Sequence, residues 1–481
     1  MRSEETIDTV VVIGGGISGL SSAFYLQKLA RESGQTIRIV LVEAGDHLGG
    51  KINTLHKEGF VIEKGPDSFL SRKLAIIDLA HDLAIEDELV ATNPNASKTY
   101  IMNELRLHAM PPGLVLGIPT DIIRFLQSDL VSPAGKLAAL ADLLKEATPA
   151  ERDESLGGFL ARRIGKELVA KIAEPLLAGI YAGDLYKLSL NATFPQFAQS
   201  EKEFGSVILG SRHNKRVTNA QNQGKTPATF MTFRNGLATM VNALEKALSK
   251  ITIKLNSKVE RFEKTEQGYT VQLQDGEQLQ AQAVIVTTPA FVSDKLLSPH
   301  INSEALANIR YVSVANVVMA FDKSNFDVDF DGSGFLVPRS EGLHITACTW
   351  TSNKWLHSSP EDKVLLRCYV GHSEDQLSVK LDDESLIAAV REDIRRSVGL
   401  TAEPLFTEIT RLDHSMPQYP IGHVNAIRDM RIELSEKLPG VWVTGAAFDG
   451  VGLPDCIRQG KAGARIILDY LEDHAVKKRL I

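Results

Sequence analysis

Val10-Val11-Val12-Ile13-Gly14-Gly15-Gly16-Ile17-Ser18-Gly19-Leu20 is the stretch whose reading decides the fold. The aliphatic run predicts a buried strand, the glycines a tight turn, and the residues from Ile17 a helix. Gly14, Gly16 and Gly19 have the G-x-G-x-x-G spacing of a dinucleotide site, with Gly15, Ile17 and Ser18 as the backbone between them. The first glycine permits the turn, the second admits a pyrophosphate, and the third lets helix and strand pack closely. The helix N-terminus then faces the phosphate charge.

Working outward, Leu20 to Ser33 reads as helical and Ile37–Val42 as a second strand, ending in Glu43 and Ala44. An acidic residue at that spacing accepts hydrogen bonds from ribose hydroxyls and repels a 2′-phosphate, so FAD or NAD is favoured over NADP. Leu48-Gly49-Gly50-Lys51 follows, and then Gly65-Pro66-Asp67-Ser68 behind the strand-like Phe60-Val61-Ile62. No Lys-Ser or Lys-Thr follows the first glycines, which excludes a P-loop there.

A chain of 481 residues needs two or three structural units. Its 43% hydrophobic and 23% charged residues are those of a folded protein. A formal net charge of −7 argues against nucleic acid as the main partner. Cys348, Cys368 and Cys456 form no Cys-x-x-Cys pair, so neither a disulfide framework nor a metal site is expected. Each reads as a small buried apolar residue in a reducing cytoplasm. The polar stretch Met1–Asp8 has no signal-peptide pattern, and no apolar run is long enough to span a membrane. The apolar loop Met110–Ile118 leaves peripheral membrane contact open.

From about residue 86 to 210 the pattern is mainly helical, with Arg162 and Arg163 read as a solvated pair that could also meet substrate carboxylates. Ser211–Thr229 is basic, free of acids and aperiodic, and reads as a flexible surface loop. Short strands are expected over 251–287, with a hairpin turn at Asp275-Gly276. A second sheet is expected across 313–370, then a helix over 385–398. At the end, Val441–Ala447 and Phe448–Ile457 read as another strand running into a glycine-bearing helix start. Pieces from both ends of the chain thus build one discontinuous nucleotide domain.

The fingerprint with Gly49-Gly50-Lys51 resembles the flavoprotein superfamily of amine oxidases, phytoene desaturases and porphyrinogen oxidases. More specific blocks are Gly65–Lys73, Glu174–Asp184, Thr193–Phe197, Thr346–Trp350, His414–Tyr419 and Gly445–Ile457. Over nearly the whole chain these resemble FAD-dependent porphyrinogen oxidases of haem synthesis, in particular the soluble Gram-positive type that acts on coproporphyrinogen III.

That resemblance implies an α/β and α+β protein: a Rossmann-like FAD-binding domain, a mixed-sheet substrate domain and a helical insertion. The expected divisions are 1–85, 211–296 and 425–481 for FAD, 86–210 for the insertion and 297–424 for the sheet domain. It implies oxidation of coproporphyrinogen III to coproporphyrin III, with dioxygen reoxidising the flavin to give peroxide. FAD contacts carried over are Gly14–Gly19, Glu43, Ala44, Lys51, Gly65, Pro66, Asp67, Ser68, Val259 (by its backbone at the adenine), and Val451, Gly452 and Leu453 near the flavin. Lys73 is the implied active-site charge, attracting a propionate or assisting proton movement. Relatives carry Trp where this chain has Leu412, so no aromatic contact is expected there. Other readings on this scaffold are a protoporphyrinogen oxidase, an amine oxidase or carotenoid desaturase, and a non-catalytic binding protein like the GDP-dissociation inhibitors.

Overall fold

A computed structural model describes residues 7–148, 153–221, 228–326, 328 and 330–480. The N-terminal reading of Met1–Thr6 lies outside the described residues. The first strand, Asp8–Ile13, is the middle of a five-stranded parallel sheet. Thr252–Lys254 and Ile37–Val42 lie on one side of it, Ala283–Val286 and Val441–Val443 on the other. Residues 10 to 13 and 283 to 286 are buried throughout, as expected of parallel strands covered on both faces.

The helix Ile17–Ser33 packs against the long C-terminal helix Leu453–Leu480 on one face of this sheet. Leu20, Ala23 and Leu26 meet Ile457, Ala464 and Ile467 in one core. Gly460 allows the close approach: a Cβ there would lie 2.9 Å from the Ser18 carbonyl oxygen. The other face is covered by the antiparallel strands Val259–Thr265, Gly268–Leu273 and Gln278–Ala281 and by the helix His423–Lys437.

A separate seven-stranded mixed sheet runs in the order Phe406–Gln418, Arg310–Asp322, Lys363–Val370, Ile345–Trp350, Gly332–Leu336, Lys98–Asn103 and Arg106–Ala109. The last two strands correct the mainly helical reading of 86–210. Lys98, Thr99, Tyr100 and Ile101 add a parallel pairing onto Gly332–Leu336, and Arg106–Ala109 folds back antiparallel on the Lys98–Asn103 strand, because a strand edge left open there would expose unpaired backbone. Leu89–Ala91 also pairs, with Phe230–Phe233, and Leu114–Val115 pairs with Ile118–Pro119; most of what remains of that segment is a helical lobe with its own core of Phe125, Leu156, Phe159, Leu160, Ile172 and Leu177.

Arg162 and Arg163 are not a solvated pair. Arg163 is 1% exposed, bonds Asp142 through Nε, and reaches Glu201 at 3.1 Å and the Gly205 carbonyl at 2.6 Å. Arg162 pairs with Glu154 at 2.8 Å and Glu201 at 2.7 Å. Carboxylates distant in sequence converge here, which periodicity cannot foresee. Nor is 211–229 a loop from its start: the helix Val207–Gln221 continues through it, anchored by buried Val207 and Ile208 and by Asp142, which accepts from the Ile208 amide at 3.0 Å. Residues 222–227 lie outside the described residues. The apolar loop 110–118 packs Met110, Leu114 and Leu116 against the helical lobe and buries Ile118 completely.

Candidate functional site

A cavity of about 790 Å³ runs from the glycine turn, between the two sheets, to the helical lobe. That volume is in the range of cofactor and small-molecule sites. At one end, Gly14, Gly16, Ile17 and Ser18 line it. Helix Ile17–Ser33 begins there with no side-chain cap and no acidic residue in its first turn. Its first amides are therefore free for an anion, and the helix dipole favours negative charge.

The glycines differ in what they do. A Cβ at Gly19 would stand 1.8 Å from the Gly14 carbonyl oxygen, so Gly19 serves packing of helix on turn. A Cβ at Gly16 would meet nothing within 4 Å, so the absence of a side chain leaves open space above the turn. Gly14 has φ +107°, and Thr287 holds the turn by donating to the Ile13 and Gly14 carbonyls at 2.9 and 3.2 Å.

Glu43 accepts hydrogen bonds from the Gly15 amide at 2.6 Å and the Gly45 amide at 2.7 Å. Two carboxylate oxygens have further lone pairs, so these bonds orient Glu43 without saturating it. Glu43 and Ala44 line the cavity together with Ser257, Lys258 and Val259 at the start of the strand Val259–Thr265, where the Ser257 amide donates to the Glu43 carbonyl at 2.8 Å. Further along, Gly49, Gly50 and Lys51 line the cavity together with Val451–Leu453 and with the segment Gly65–Ser68, which packs on Lys51: a Cβ at Gly65 would lie 1.7 Å from the Lys51 carbonyl oxygen. The Lys51 ammonium donates to the Ser415 carbonyl.

Of the FAD contacts expected from sequence, the cavity brings together all except Gly15 and Gly19, which act behind it. Lys73 is not on the cavity wall. Its ammonium pairs with Asp455 in the first turn of the C-terminal helix, and its side chain is 40% exposed. Leu412 does line the cavity.

The far wall holds residues that sequence reading did not single out. Arg367 is 4% exposed and donates from Nη2 to the Gly65 carbonyl, while its guanidinium stacks on the Tyr369 ring at 5.0 Å. Arg367 and Tyr369 are two residues apart on one strand and so face the same side, toward the cavity. The available signal was a lone arginine within the apolar run Val364–Val370. Asn316 donates to the Lys64 carbonyl at 3.1 Å and reinforces the same segment. Near it, Lys354 stands 3.6 Å from Asp67, and despite burial this lysine and Arg367 hold the Asp67 carboxyl down at about 2. Burial instead pushes Glu63 up to about 7, against the bonds it accepts from the Leu237 amide and Thr54.

At the mouth, Arg339 spans from the sheet to Glu174, Glu374 and the Gly183 carbonyl. Among the described residues no cluster of His, Cys, Asp or Glu could hold a metal ion, and no helix is long and apolar enough to cross a membrane. All three cysteines are buried and form no disulfide, and the strand pairing places Cys348 opposite Cys368.

This architecture has close counterparts. A coproporphyrinogen III oxidase of Bacillus subtilis (strain 168) is 42% identical over 463 residues, covering 96% of this chain and 98% of that relative. A chloroplastic protoporphyrinogen oxidase of Oryza sativa subsp. japonica is 30% identical, with 97% and 89% covered. Among solved structures, one from Exiguobacterium sp. 255-15, described as a protoporphyrinogen oxidase, superposes with TM-score 0.84 at 34% identity over 97% of this chain and 99% of that one. Cyclohexylamine oxidase from Brevibacterium oxydans IH-35A shares the fold at TM-score 0.69 and 16% identity, with 97% and 100% covered. Residues 17–468 match the family described as flavin containing amine oxidoreductase. With its uncapped helix start, its glycine cradle and this whole-length match, the chain belongs to the flavin-containing amine oxidoreductase family and takes FAD as its cofactor.

Proposed function

We propose that this protein oxidises coproporphyrinogen III to coproporphyrin III, removing six electrons in three flavin cycles, with dioxygen reduced to hydrogen peroxide. The observation that carries the reading is a single cavity joining the glycine turn to a broad wall made by the second sheet and the helical lobe. A tetrapyrrole macrocycle needs such a wall beside its electron acceptor. The whole-length similarity to enzymes named for this reaction supports the same substrate class.

In this reading the amides of Gly16, Ile17 and Ser18 hold the pyrophosphate and Glu43 the ribose. The Val259 backbone meets the adenine. Lys51, Gly65–Ser68 and Val451–Leu453 surround the flavin. Bound FAD supplies a two-electron acceptor that drives the macrocycle toward aromaticity. The residues of the chain orient the substrate and exclude water. Arg367 fixes the Gly65 carbonyl and Asn316 the Lys64 carbonyl, so the segment beside the flavin is held in place from the second sheet. Lys73 acts from just outside the cavity, coupled to the C-terminal helix through Asp455. Three free thiols support a reducing, cytoplasmic setting.

The deciding experiment compares kcat/KM for coproporphyrinogen III and protoporphyrinogen IX, with oxygen uptake and peroxide measured alongside. Higher kcat/KM for coproporphyrinogen with peroxide release is the expected result. A strong preference for protoporphyrinogen would overturn the substrate assignment, and purified protein that neither carries nor takes up flavin would overturn the reaction.

A further inference from the structure

A porphyrinogen with several propionates must present carboxylates somewhere along the cavity, and the cations lining it are not equally placed to meet them. Arg367 is buried in the wall beside the Gly65 segment, with Nη2 committed to the Gly65 carbonyl and Nε and Nη1 without a hydrogen-bond partner among the described residues. Lys51 is committed to Ser415, and Lys258 adjoins Val259 at the opposite end. Arg339 is different. It stands at the mouth, where the sheet meets the helical lobe, with its side chain 20% exposed.

Three partners hold it. Nη2 donates to the Gly183 carbonyl at 2.7 Å. Nη1 lies 3.3 Å from Glu174, which lines the cavity and is 16% exposed. The same nitrogen lies 2.8 Å from Glu374, which is 54% exposed on the segment after strand Lys363–Val370. The two carboxylates are unequal. Glu174 belongs to the wall, whereas Glu374 reaches in from solvent and its ion pair contributes little, since water screens it and the side chain must be ordered. An arginine fork sharing one nitrogen between two carboxylates is poised to exchange the weaker for a better-placed one.

We propose that Arg339 determines specificity by binding a carboxylate arm of the substrate, which displaces Glu374 while Glu174 and Gly183 keep the guanidinium aimed. The inference rests on the porphyrinogen reading and names one residue that recognises the substrate's charge. Exchange at the mouth separates Arg339 from its solvent-exposed partner Glu374.

The test measures binding of coproporphyrin III to the FAD-loaded protein by fluorescence quenching, together with kcat/KM for coproporphyrinogen III. Arg339→Gln is expected to weaken both about tenfold, as loss of one charge-assisted contact does. Arg339→Lys should fall between it and the unaltered protein, and serves the test if the glutamine variant does not fold. Glu374→Gln should bind at least as tightly as the unaltered protein, because a competitor has gone. Opposite signs for Arg339 and Glu374 separate recognition from a structural clasp, in which both variants would bind more weakly. Unchanged binding in Arg339→Gln and Arg339→Lys, or weaker binding in Glu374→Gln, overturns the proposal. If the unaltered protein oxidises coproporphyrinogen and these variants behave otherwise than stated, only this inference fails; if it does not oxidise it, the reading beneath fails.

Discussion

Lys73 and Asp455 lie 382 residues apart in the chain, yet the lysine ammonium meets the aspartate carboxylate in the first turn of the C-terminal helix. The contact ties the segment that follows Gly65–Ser68 to the helix that begins after Val451 and Gly452, both of which line the cavity. It also places a positive charge where a carboxylate already balances it. Lys73 thereby couples two stretches expected to embrace the flavin.

Lys73→Ala should lower turnover with coproporphyrinogen while leaving FAD bound, and Asp455→Asn should act in the same direction. Steady-state kinetics beside the flavin absorbance of the purified variants check this. Unchanged kinetics in Lys73→Ala would remove the residue from the reaction.

Gly16 and Gly19 should separate cofactor binding from folding. Gly16→Ala adds a methyl into open space, so the fold should persist while the pyrophosphate loses its approach to the backbone. FAD affinity should fall by at least tenfold with little change in the melting temperature of the flavin-free protein. Gly19→Ala places its methyl against the Gly14 carbonyl and should instead destabilise the protein itself. Glu43→Ala strips acceptors from the Gly15 and Gly45 amides and should release FAD on dialysis. Full flavin occupancy after dialysis would contradict that role.

Glu63 should leave a signature in the pH dependence of stability. Its carboxyl is pushed up to about 7 from 4.5, chiefly by burial, so the folded protein keeps this proton to higher pH than the unfolded chain does. Native protein therefore binds more protons between pH 4.5 and about 7, and this contribution to stability falls as pH rises through that window. Glu63→Gln keeps an acceptor for the Leu237 amide and no longer titrates. Its melting temperature should drop less between pH 5 and pH 8 than that of the unaltered protein. An equal drop in both would show that another group is responsible.

Arg163 should matter to stability alone. Its guanidinium is sealed between Asp142 and Glu201 in the helical lobe, away from the cavity. Arg163→Met leaves the two carboxylates without their buried partner and should cost about 3–5 kcal/mol. Denaturant midpoints measure the loss, while the flavin absorbance of the folded fraction should not change.

Sequence alone determined the parts built from contiguous residues. Strand, turn and helix over 10–20 follow from a buried aliphatic run meeting glycines, and those residues form the cavity's glycine end. Glu43 was legible because a helix and strand of ordinary length set its distance from the fingerprint. The strands 259–262, 269–273 and 364–370 were legible for the same reason, since alternation or continuous burial is a local pattern. Tertiary structure decided everything that depends on which distant residues meet. It moved Lys73 onto Asp455, buried Arg163 among the carboxylates of Asp142 and Glu201 and the carbonyls of Glu146 and Gly205, and extended a helix through 211–221 by capping it with Asp142. It also brought Arg339 to Glu174 and Glu374 at the mouth. Charged side chains carry no periodicity that reveals their partner, so their burial, pairing and reach are set only when the chain has closed on itself.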